Sequence, residues 1–96
     1  MSAAAINFTN ETQNTEERRL TIAEMCKLGL VFSTGQGGQP VDYVIAHKWF
    51  NIAATKGSKE ARAYRAELAR EMTPDQVAEA QRQAREWLAA HEGYLS

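Results

Sequence analysis

The run LGLVFSTGQGGQPVDYVIAHKWFNIAATKGSKEA, from Leu28 to Ala61, decides the fold. Gly35, Gly37 and Gly38 followed by Pro40 stop any helix arriving from upstream, because glycine takes the left-handed conformation at a helix end and proline cannot continue a helical ladder. Asp42 then offers a cap or first-turn acid for a second helix through Val44, Ile45, Ala46, Trp49, Phe50, Ile52, Ala53 and Ala54, which Gly57 ends. Ala46, Phe50, Ala53 and Ala54 share one face, where small side chains admit a neighbouring helix and the aromatic ring fills the gap. The spacing predicts a helical hairpin. The glycine cluster has no preceding strand and no Gly-Lys-Ser/Thr ending, so it reads as a loop and not as a phosphate cradle.

Upstream, helix formers begin around Thr15 to Glu17, with Asn14 as the cap and Glu16 and Glu17 at the positive end of the dipole; this first helix is expected to reach Ser33 or Thr34. Ile22, Met25, Gly29 and Phe32 form one stripe, and Ala23, Cys26 and Leu30 a second beside it, an apolar arc broad enough to need neighbours on two sides. Downstream, Ser58 caps a third helix with the apolar line Ala61, Tyr64, Leu68 and Met72. Thr73-Pro74-Asp75-Gln76 is a capping box with proline at the first helical position, and it opens a fourth helix with Val77, Ala80, Ala84, Trp87 or Leu88, and His91 down one side. Residues 1–14, with isolated Ile6 and Phe8 and no period, read as a flexible N-terminal arm, leaving residues 15–96 as the helical domain.

Composition sets the limits. A chain of 96 residues, 44% hydrophobic and 24% charged, is one soluble globular domain with a thin core. The formal charge of −1 gives no overall reason to expect nucleic acid or anionic lipid as the main ligand. The single cysteine, Cys26, sits in an apolar helical run and reads as a small buried hydrophobe with no internal disulfide open to it. Met1 to Asn10 lacks a basic, then apolar, leader pattern, and no segment approaches the length of a membrane span, so the expected location is cytoplasmic.

Chemistry-bearing constellations are missing. His47 and His91 fall on different helices with no metal-ligand spacing around them, and a zinc site needs three or four convergent ligands. His47 is expected beside the Trp49 region or in solvent, and His91 gains from a helix C-terminus when protonated. Asp42 and His47, five apart, do not share a helical face, and Glu24 with Lys27 is an ordinary surface pair. Lys48, Lys56, Lys59, Arg62 and Arg65 make a locally basic stretch around Tyr64, diluted by Glu60 and Glu67; it reads as a solvated face, with an acidic partner as the functional alternative.

The joint spacing of Leu28-Gly29, Gly35, Asp42, Ala46, Trp49-Phe50, Ala53-Ala54, Gly57 and Ala61 resembles one Sel1-like repeat, a member of the tetratricopeptide-like helical-hairpin superfamily. The segment from Gly57 to His91, including Met-Thr-Pro-x-Gln at Met72 to Gln76, is similar to the helical end that closes such arrays in bacterial proteins. The resemblance implies an all-α fold, a short α-solenoid of about four antiparallel helices. It gives each pattern residue a structural role, with Gly29 for close helix approach, Ala46, Ala53 and Ala54 for the hairpin seam, Trp49 and Phe50 for the core, and Gly57 for the turn onward. The loop from Gly35 to Asp42 departs from the pattern by about one extra residue, with Gly38 where a hydrophobic residue is common.

Such repeats bind proteins, and stacked repeats need about three neighbours to bury a continuous core. The resemblance therefore implies a non-enzymatic adaptor without cofactor or metal, holding another protein or a second copy against the first helix. Met25, Lys27, Leu28 and Val31 are the expected contact residues, with Lys48 as a rim charge. The alternatives are a small accessory subunit embedded in a larger assembly, and a regulator or nucleic-acid-associated factor using the basic stretch.

Overall fold

The computed structural model describes residues 19–91. Over these the chain forms four α-helices and one short 3-10 turn, with no strand among the described residues, so the fold is all-α.

Helix α1 (Ile22–Thr34) starts later than its composition suggests. The Glu24 amide donates to the Thr21 hydroxyl at 3.0 Å while the Thr21 amide donates to the Glu24 carboxylate at 2.8 Å, a reciprocal box that satisfies two otherwise orphaned donors. Thr21 itself is extended, and Arg19 and Leu20 are not helical, so the helix does not run through from Thr15. The expected cap, Asn14, and the arm of residues 1–14 lie outside the described residues. At its other end α1 stops at Gly35, whose φ of +79° is the left-handed conformation glycine adopts without a Cβ penalty.

The 3-10 turn Gln36–Gly38 follows, and the Asp42 amide then donates to the Phe32 carbonyl at 2.9 Å, tying the end of the loop back to α1. Asp42 caps α2 (Tyr43–Thr55) by accepting from the Ile45 amide at 3.1 Å. Ser58 caps α3 (Lys59–Ala69) by accepting from the Ala61 amide at 3.0 Å. Thr73 and Gln76 form the expected box at the start of α4 (Pro74–Ala90), with Pro74 in the first turn where its missing donor costs nothing.

Helix α2 is the hub. It packs on α1, on α3 and on α4, whereas α3 and α4, adjacent in sequence, barely approach one another. The core is built around it from Met25, Ala46, Phe50, Ile52, Ala53 and Ala61, joined by Leu68 and Ala84. A Cβ on Gly29 would fall within the van der Waals envelope of the Phe50 ring, so the glycine is what lets α1 lie against α2. Trp87 of α4 meets Trp49 of α2 edge to face, with centroids 5.5 Å apart, and this contact helps to dock α4 on α2. No helix among the described residues is long and apolar enough to cross a membrane.

Candidate functional site

Short connections make α1 antiparallel to α2 and α2 antiparallel to α3, so α1 and α3 run side by side in the same direction. They touch lightly, and an open groove lies between them. It has two halves that share Leu30 and Tyr64. The half near the helix starts holds about 580 Å³ against Ile22, Ala23, Cys26 and Glu60; the half near the helix ends holds about 560 Å³ against Phe50, Leu68, Glu67 and Glu71.

The floor is apolar and held in place. The Tyr64 ring stacks on Phe50 at 5.3 Å, which fixes its orientation while leaving the residue 38% exposed, and Ile22 is 40% exposed at the groove's opening. The α1 wall adds little polarity, because the Thr34 and Ser33 hydroxyls donate to the Leu30 carbonyl at 2.7 and 3.2 Å and close the helix end on itself. The α3 wall differs. Glu60, Glu67 and Glu71 all line the groove, exposed and without an ion pair among the described residues. Lys27 stands on the α1 side, and Arg70 at the far end.

Cys26 is half-buried on the α1 wall and not fully enclosed. Burial pushes its thiol up, the Glu60 charge pushes it further in the same direction, and a hydrogen bond with Ser58 works against both. The protonated form is favoured, and the thiolate, which is the nucleophile, is suppressed.

Of the residues expected to meet a partner, Lys27, Leu28 and Val31 share one side of α1, while Met25 and Lys48 lie apart from them. Met25 is 1% exposed and belongs to the core, so partner contact is closed to it in this fold: Gly29 draws α1 onto Phe50 and the same approach covers Met25. Lys27 is exposed on the groove margin. Leu28 and Val31 are half-buried on α1 but outside the groove. Lys48 lies on α2, its Nζ 5.0 Å from the centre of the Trp49 ring, a cation–π placement.

The histidines and the basic stretch are also redistributed. His47 is 2% exposed instead of facing solvent, and its Nδ1 has no hydrogen-bond partner among the described residues. Burial, and then the nearby Arg65 charge, lower its pKa. His91 closes α4, its ring stacked on Trp87 at 3.9 Å with Nδ1 2.8 Å from the Trp87 carbonyl oxygen. Arg65 donates to the Asn51 side chain at 2.6 Å, while Lys59 and Arg62 stand with Ala63 and Ala66 on the other side of α3 from the groove. The basic stretch is thus not one surface.

No family model, no curated protein and no solved structure matches the chain.

Proposed function

We propose that the chain is a non-enzymatic protein–protein interaction module of the Sel1-like kind, and that its partner occupies the groove between α1 and α3. The observation that carries this reading is the pairing of exposed Ile22 and Tyr64 over an apolar floor shared by two parallel helices. Large apolar side chains anchored in a groove are what a hydrophobic interface centre requires, and the charges around them fit a polar rim. Thiol chemistry is disfavoured at Cys26, the only cysteine, because burial and the Glu60 charge suppress its thiolate. The binding surface proposed thus moves from Met25, Leu28 and Val31 to the opposite flank of α1, with Lys27 retained at its margin. A cytoplasmic setting is part of this reading.

The test is purification of the tagged full chain from its native cells under mild conditions, beside two variants. Tyr64→Asp should lose a stoichiometric companion that the unchanged chain retains; because its ring stacks on Phe50 the substitution also lowers the thermal midpoint, so the variant is compared at a temperature where its helical circular dichroism is intact. Val41→Asp alters a residue 54% exposed and outside the groove, and should retain it. A companion held equally by all three would remove the groove from the interface. The accessory-subunit alternative draws on Leu28, Val31 and Val41, which leave apolar surface uncovered outside the groove. A companion lost with Val41→Asp and kept with Tyr64→Asp would favour it.

A further inference from the structure

We propose that the segment held in the α1–α3 groove is a basic amphipathic helix of another protein, with apolar residues about one turn apart against Ile22, Leu30 and Tyr64 and with lysines or arginines along Glu60, Glu67 and Glu71. The proposal rests on the groove reading above and names the chemistry of its occupant.

The walls decide the form of the ligand. Both are helices whose backbone groups are bonded internally, and no strand edge exists among the described residues, so an extended peptide finds no ladder to join. Side chains alone must make the contact, and a groove running between two parallel helices, with one aliphatic wall and one acidic wall, fits the helix-in-groove mode better than a proline-rich segment, which docks between aromatic rings. Helix α1, with 13 residues, offers a wall about 20 Å long, enough for three to four turns of a partner.

Charge decides the composition. At about 100° per residue, Glu60 and Glu67 fall on nearly the same line of α3, and Glu71 continues it one turn later. Lys59 and Arg62 lie on the other side, and the cations that line the groove, Lys27 on the α1 wall and Arg70 at its far end, leave the Glu60–Glu67 stretch of the α3 wall acidic. The arrangement is locally unfavourable in the free chain. Glu67 and Glu71 are like charges four residues apart, and Glu71 sits just past the C-terminal end of α3, where the helix dipole favours a cation. Arg70, next in sequence, forms no ion pair among the described residues that would relieve them. A row of partner cations relieves both. A second copy of this chain is a poorer occupant: its exposed basic helix face, around Lys59 and Arg62, carries only Ala63 and Ala66 between the charges, too small to fill the hollow at Leu30 and Tyr64.

The test uses the full chain and two synthetic helical peptides of about 14 residues, both with the same leucine spine, one flanked by lysines and the other by glutamates, titrated by fluorescence anisotropy. The lysine peptide is expected to bind about tenfold tighter at low ionic strength, from three modest rim pairs, with the gap closing as salt rises. Glu60→Lys, Glu67→Lys and Glu71→Lys together should invert the preference. The milder Glu67→Gln, Glu71→Gln chain should narrow it without reversing a charge beside the α3 N-terminus, and Lys59→Ala, Arg62→Ala should not invert it. Equal binding of both peptides, abolished by Tyr64→Asp, would overturn the charge assignment and leave the groove reading standing. Binding of neither peptide, or binding insensitive to Tyr64→Asp, would overturn both. Concentration-dependent self-association that Glu60→Lys removes would place a second copy in the groove and also overturn the proposal.

Discussion

Gly29 and His47 show how single positions carry this fold. Replacing Gly29 with alanine improves helix propensity by up to about 1 kcal/mol, yet the new methyl meets the Phe50 ring. Overpacking of this kind costs about 1 to 3 kcal/mol, so Gly29→Ala is expected to lower stability in urea denaturation, and Phe50→Leu in the same chain should recover part of the loss. His47 adds a pH dependence with a definite sign. Its folded pKa lies below the ordinary 6.5, so the unfolded chain binds the proton more readily, and stability falls as pH drops below about 6.5. His47→Leu should flatten the stability curve between about pH 7 and 5. Gly29 was legible in the sequence because Leu28-Gly29 belongs to a spaced pattern. His47 was not, because helical phase places a side chain on a face but cannot say that the Arg65-bearing helix covers that face.

At the scale of elements, helix starts are written in short-range chemistry. Thr73 with Gln76, and Thr21 with Glu24, make the same reciprocal bonds, and Thr73→Ala or Thr21→Ala should each cost about 1 kcal/mol. The first box was plain in the sequence because Pro74 follows it. The second was hidden behind Thr15-Glu16-Glu17-Arg18-Arg19, whose helix propensity suggested an earlier start. On the exposed side of α4, Arg82 bonds both Glu79 and Glu86, and with Gln83 it holds the Glu79 carboxyl down at about 2. An NMR titration should find that midpoint in the unchanged chain and a return toward 4.5 in Arg82→Ala. Helix α4 depends on Trp87 for its docking, so Trp87→Ala should cost about 3 kcal/mol and remove the near-ultraviolet dichroism of the Trp49 pair.

Across the whole molecule, the all-α class, the span of α2 and the starts of α3 and α4 followed from glycine, proline and cap positions read locally, whereas α3 stops at Ala69, short of the Met72 expected on its apolar line. The groove did not. Tyr64 read as part of an apolar core line, and Glu60 and Glu67 read as dilution of a basic stretch. Only the parallel placement of α1 and α3 shows that these residues form one wall. The hub position of α2 has a further consequence, for how the molecule opens. A helix that touches each of the other three is still sheltered by the remaining two when any one of them leaves. Its amides should exchange hydrogen with solvent through the rare opening of the entire domain, while those of α3 and α4, each leaning on α2 and hardly on each other, should be released in separate and more frequent local events. The slowest protons in the chain would then report one number, the global free energy, and would be found around Phe50 and Ala53.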